Sequence, residues 1–246
     1  MNISISAEKL FSIASFPVTN SMLIAWIVMA GLILVSFFAF RKQSLVPNTV
    51  QNIFEMIIEG VLSVIDSVTH NREESKQFLP LIATIFLFVV LVNWTGILPG
   101  AGTIGIQEVE EGHRVIIPFI RSTSADLNFT IALAIIAVIT VQVVGVMSIG
   151  IGAYLKKFLN FSSPLNFITG ILELVSEVSK LISFSFRLFG NVFAGEVLLS
   201  VMLFLVPYFI PIPFLALEIF VGFIQALVFA MLTLVFVKMA KETHHA

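Results

Sequence analysis

Residues Leu172–Glu196, LELVSEVSKLISFSFRLFGNVFAGE, decide how this chain is read. The stretch is apolar enough to sit in a membrane, yet it carries Glu173, Glu177, Lys180, Arg187, Asn191 and Glu196. A charge at the centre of a spanning helix costs roughly 2.5–3.5 kcal/mol on insertion scales. An arginine with carboxylates on either side, deep in lipid, reads by default as part of a pathway for ions or protons.

Helical geometry sorts these side chains. At about 100° per residue, Arg187 shares a face with Lys180, Ser176 and Glu173, with Ser183 and Asn191 close by. Glu196 follows nine residues later, rotated by about 180° and raised by roughly 13–14 Å. Two carboxylate zones are therefore expected along the axis, with the arginine between them.

Outward from this stretch, the whole 246-residue chain is 58% hydrophobic and 11% charged. Soluble domains carry about 25% charged residues. The fold class expected is all-α: a polytopic membrane protein with about five transmembrane helices and one interfacial amphipathic helix. A net charge of −2 gives nucleic-acid binding no electrostatic basis. With no cysteine, disulfides, thiol catalysis and cysteine metal sites are excluded. No Walker loop and no metal motif such as HExxH is present, and no cofactor is expected. His70, His113, His244 and His245 lack metal-ligand spacing.

In chain order, residues 1–20 lack a basic n-region and a cleavage site, and read as a short amphipathic segment on the outer side. Residues 21–40 are the first span, ended by Arg41-Lys42, which puts the N-terminus outside and the doublet in the cytoplasm. Residues 47–70 show Ile53, Met56, Ile57, Gly60, Val61, Val64 and Val68 at helical spacing, among Glu55, Glu59 and Asp66. This is an amphipathic helix on the cytoplasmic surface, lying on lipid or packed on a partner. Residues 71–77 are a polar connection. The second span is 78–98, with Asn93 near its outer end and Trp94 as an interfacial anchor. Residues 99–123 are too polar to span. Their formal GxGxxG at Gly100–Gly105 follows a membrane helix rather than a strand and reads as a flexible turn.

The third span is 124–151, capped by Ser124 or Asp126. Residues 164–206 are roughly 42 residues without an interior proline, about 60 Å if helical, too long to cross a 30 Å core upright. After the proline-rich turn at 207–213, residues 214–241 return to a cytoplasmic C-terminus. The last two helices thus form a long tilted hairpin, which can bring Glu196 and Glu218 together. Two such carboxyls in low dielectric cannot easily both be ionised, which suits them to proton relay. Gln225 lies seven residues after Glu218, on the same face.

The run Ser183–Glu196, SFSFRLFGNVFAGE, closely resembles the R-L-F-G-N-x-x-A-G-E signature of subunit a of F-type ATP synthases. The resemblance covers most of the chain and is strongest over 180–196 and 218–238. It implies a non-catalytic stator subunit of a rotary motor for ATP synthesis, one that couples proton transport to rotation. Its partners would be the c-ring and the peripheral stalk subunit b, in a bacterial plasma (inner) membrane. Arg187 would draw each ring carboxylate into its ionised form and bar direct proton flow between two offset half-channels. A guanidinium, which stays protonated, can do this without releasing a proton. Glu196 and Glu218 would form the outer entry, where some members have His in place of Glu218. Gln225 would sit beside the arginine, and Asn191 would line the outer path with Asn93 and Asp126. Glu173 matches the inner exit, with Ser176, Lys180 and Ser183 along the same stripe.

The alternatives are a Na⁺-translocating form of the same subunit and a self-contained ion channel or transporter. The second needs a closed pore or repeated halves, and no internal repeat is evident. An intramembrane enzyme would need a nucleophile–base pair or metal motif. A purely structural subunit leaves Arg187 unexplained.

Overall fold

The computed structural model describes residues 7–13, 16–40, 49–98, 101, 104–110, 113–158, 163–206, 208–209 and 211–242. The Arg41-Lys42 doublet, Pro47, Gly100, Gly102 and Thr103 of the glycine-rich turn, Pro207, Ile210, His244 and His245 lie outside them, as does the side chain of His113.

The chain is an all-α polytopic membrane protein with two small β-hairpins. A hairpin of β1 (Lys9–Ile13) and β2 (Phe16–Thr19) leads into α1 (Asn20–Phe40). Then come α2 (Thr49–Thr69) and α3 (Arg72–Thr95). A second hairpin, β3 (Gly105–Glu110) and β4 (His113–Pro118), is followed by a 3₁₀ turn at Thr123–Ala125. The chain ends with α4 (Leu127–Ile149), α5 (Ile151–Phe158), α6 (Pro164–Leu205) and α7 (Pro211–Glu242). Helices α1, α3, α4, α6 and α7 are long and apolar enough to cross a membrane.

Several boundaries differ from those expected, each for a local reason. The first hairpin stands where an amphipathic segment was expected. Helix α3 begins at Arg72, so the polar stretch 71–77 is helical rather than a connection. Asn71 caps it by accepting from the Glu73 amide at 3.0 Å, and Glu73 and Glu74 suit the positive end of the helix. Polarity ends the apolar span, not the helix. Gly105–Glu110 and His113–Pro118 pair as strands where a loop was expected. There a Cβ on Gly105 would stand 1.9 Å from the Ile117 carbonyl oxygen, so only glycine fits. Helix α4 stops at Ile149 because Gly150 takes the left-handed region at φ 83°. Helix α7 starts at Pro211, since a proline in the first turn forfeits no hydrogen bond.

Both hairpins lie at one end of the bundle, since Asn20 Nδ2 donates to the Pro118 carbonyl at 3.2 Å. At the other end, Lys241 pairs with Glu74 at 2.6 Å and Lys238 donates to the Val68 carbonyl at 2.8 Å. Helix α2 packs Leu62 and Ile65 inward while Ile53 and Met56 stay exposed. Helix α7 is the hub, packing on α3, α4 and α6. Its Phe229, Ala230, Leu234 and Val237 join Phe184, Leu188 and Val192 of α6 in the core. The Phe184 and Phe229 rings meet edge to face at 4.9 Å, worth about 0.5–1.5 kcal/mol beyond area burial.

Candidate functional site

Helix α6 is held by one face. Phe184, Ser185, Leu188 and Val192 are buried, and Ser185 Oγ lies 3.2 Å from Thr130 Oγ1 on α4. That fixes the opposite face outward. Ser176, Ser179, Ser183, Arg187, Gly190 and Ala194 follow one another at three- or four-residue steps, all exposed. Arg187 is the one charge in a strip of small residues, so another helix can approach its guanidinium closely. Its Nη2 donates to Ser183 Oγ at 3.1 Å, and it forms no ion pair with a described carboxylate. Glu173 and Glu177, too distant along the helix to reach it, pair elsewhere.

One turn beyond Arg187, Asn191 Nδ2 donates to Gln225 Oε1 on α7 at 2.6 Å. Gln225 is buried, and its Nε2 has no hydrogen-bond partner among the described residues. The Gln225 side-chain oxygen is thus engaged by Asn191. Asn93, on α3, is buried and donates to the Gly222 carbonyl at 2.9 Å, while its Oδ1 has no partner among the described residues. Trp94 ties the same turn to the Ile219 carbonyl at 3.1 Å.

Asn93, Asn191, Gly195 and Glu218 line a cavity of about 180 Å³ between α3, α6 and α7. That is room for several waters at about 30 Å³ each. Glu218 Oε2 is buried without a partner among the described residues. Glu196 is within Coulombic reach of Glu218 but does not line the cavity. Its Oε1 lies 3.5 Å from Nε of Arg121, a residue only 6% exposed. Asp126 is committed to capping α4, accepting from the Asn128 amide at 3.0 Å, and is likewise absent from the cavity wall.

Toward the other end the expected stripe divides. Ser176 stays on the exposed strip, whereas Glu173 pairs with Lys157 of α5 at 2.6 Å. Lys180 pairs with Glu177 at 2.7 Å and lies over the Phe236 ring. Glu177 also accepts from Gln142 Nε2 at 2.8 Å, and the Tyr154 hydroxyl donates to Gln142 Oε1. Burial, then the charges of Glu177 and Glu173, push the Tyr154 phenol up to about 12. Arg121, Gln142 and Tyr154 carry no assignment from the sequence, and Lys157 is read there only as half of the Lys156-Lys157 doublet at the cytoplasmic end of the third span. Only the isolated Arg121, just before a capping Asp126, carried a visible hint. Among the described residues no group of three metal-ligating side chains occurs.

Five spans, a guanidinium on an open helix face and a carboxyl, Glu218, in a largely apolar cavity with two asparagines define a polytopic membrane protein with a charged intramembrane site. The family model for the ATP synthase A chain matches residues 22–238, and the chain belongs to that family. It is 36% identical over 228 residues to ATP synthase subunit a of Gloeobacter violaceus, covering 92% of this chain and 85% of that one. Against ATP synthase subunit a of Campylobacter jejuni the identity is 34% over 207 residues, covering 83% and 82%. Against that of Moorella thermoacetica it is 28% over 232 residues, covering 93% and 94%.

Proposed function

We propose that this chain is the proton-translocating stator subunit of an F-type ATP synthase, coupling proton flow to rotation of a c-ring for ATP synthesis. The observation that carries the reading is the exposed strip of α6, with Arg187 alone among serines, glycine and alanine. A ring helix bearing a carboxylate fits such a strip, because small residues let backbones approach and the guanidinium supplies the counter-charge. Arg187 holds the passing carboxylate ionised and separates two half-channels. The outer one runs through the cavity of Asn93, Asn191 and Glu218, with Glu196 beside it. Gln225 positions Asn191 next to the arginine. The inner one follows Ser183 and Ser176 toward Glu173 and Lys180. Asp126 serves the outer side only indirectly, by starting α4.

The subunit binds no nucleotide and makes no ATP itself. It lies in a bacterial plasma membrane with its N-terminus outside and its C-terminus cytoplasmic, and subunit b of the peripheral stalk holds it still. The absence of native cysteine makes the ring contact directly testable. A Gly190→Cys variant is oxidised against a single cysteine placed beside the ring carboxylate. Disulfide formation is expected, with pumping blocked until reductant is added. Equal cross-linking from buried Val192→Cys, or none from Gly190→Cys, contradicts the reading.

A further inference from the structure

We infer that Arg121 neutralises Glu196, leaving Glu218 as the carboxyl of the pair that takes up and releases the proton. This deepens the proposed function and rests on it. Arg121 begins a run of six consecutive buried residues, Arg121–Asp126, between β4 and α4. Connections normally run over the surface, because buried backbone polar groups need partners. Here the 3₁₀ turn packs against α1, α3, α4 and α6, and Thr123 Oγ1 donates to the Ser21 carbonyl at 3.4 Å. Ser122 presses on Gly96 so closely that a Cβ there would be 2.6 Å from its own Cβ. The strap is wedged in place, and Arg121 with it.

A guanidinium 6% exposed requires an anion, and Glu196 Oε1 at 3.5 Å supplies it. The other charged groups facing Glu196 are Glu218 of α7 and Glu8, ahead of β1. Glu218 differs on two counts. It has no salt bridge to a described cation, and it lines the cavity that Glu196 does not. Asn93, 2% exposed, lines the same cavity with an oxygen that has no partner among the described residues. Two carboxyls in environments this different take different roles. A proton entering through the cavity binds the Glu218 carboxylate and leaves it for the carboxylate of the ring. No electrons move, and neither Arg121 nor Glu196 gives or takes the proton in this step. Arg121 is thus a positioning residue.

The test uses the assembled complex in inverted membrane vesicles, reading ATP-driven proton pumping per assembled complex. Arg121→Gln and Glu196→Gln each remove one charge of the pair and unbalance it, and each is expected to lose pumping by about tenfold or more. The double variant removes both charges and is expected to recover at least about fivefold over the worse single variant. Arg121→Lys, which keeps the charge, stays within about threefold of wild type. Glu218→Gln abolishes pumping alone and in the double-variant background. The inference is overturned if the double variant is no better than the worse single. It is also overturned if Glu218→Gln still pumps, or if Arg121→Gln alters only the yield of complex. Should a single variant fail to assemble, the double variant and Arg121→Lys still decide. Arg187→Ala in the same vesicles separates the two claims. If it pumps, the proposed function fails; if it does not while the double variant shows no recovery, only the Arg121 assignment fails.

Discussion

Asn191 Nδ2 and Gln225 Oε1, 2.6 Å apart, join α6 to α7 one turn from Arg187. Gln225 is 4% exposed, so its amide has little water to fall back on. Asn191→Leu strips the partner from a buried acceptor, which costs about 1–3 kcal/mol. Asn191→Leu with Gln225→Leu removes both polar groups and is expected to cost less than the sum of the single changes. Thermal dissociation of the assembled complex checks this. Strict additivity would mean that the two amides do not support each other.

The wedge of Ser122 against Gly96 makes a second prediction. Gly96→Ala puts a methyl 2.6 Å from Ser122 Cβ, and the neighbouring contacts at 3.2 Å are backbone. The strap must shift, at an overpacking cost of about 1–3 kcal/mol. Gly60→Ala meets nothing within 4 Å on α2 and is expected to be neutral or slightly stabilising. Melting of the two variants in the same detergent distinguishes them.

Tyr154 anchors α5 and gives a pH dependence. Burial first, then Glu177 and Glu173, raise its phenol to about 12, against about 10 in an unfolded chain. The neutral form is favoured in the fold. This contribution is therefore complete below about pH 10 and is lost as pH rises toward 12. In a Tyr208→Phe variant, Tyr154 is the only tyrosine left. Its phenolate absorbance should begin to rise only above about pH 11. A rise centred near pH 10 would mean that α5 is undocked.

The fold was legible wherever a long apolar run met a clear stop. The 42-residue α6 and its return as α7 follow from Pro164, the prolines near 207–213 and the absence of any between Pro164 and Leu205. The hairpins were not legible as strands, because short runs such as Gly105–Glu110 mix apolar and charged residues in a segment dominated by its polarity. Helix α3 began earlier than hydropathy indicates, since Asn71 caps a polar turn that carries no membrane signal. At the site, periodicity placed Arg187, Ser183 and Ser176 on one face. It also grouped Lys180 and Glu173 with them, where ion pairs to Glu177 and Lys157 now hold each. The Lys180–Glu177 pair is a local i,i+3 contact that spacing alone allows, whereas Lys157 reaches Glu173 from another helix. The pair of Arg121 with Glu196 spans 75 positions, and no local pattern encodes it.

The central claim is that Arg187 couples proton movement to rotation, and ATP-driven pumping in inverted vesicles tests it most directly. Wild type is compared with Arg187→Ala at matched assembly. The account predicts an assembled complex with coupled pumping abolished, and passive proton leak after removal of the soluble motor retained or increased. A wild type that moves Na⁺ instead would change the ion and leave the role of Arg187 in place. Pumping by Arg187→Ala near the wild-type rate would contradict the account.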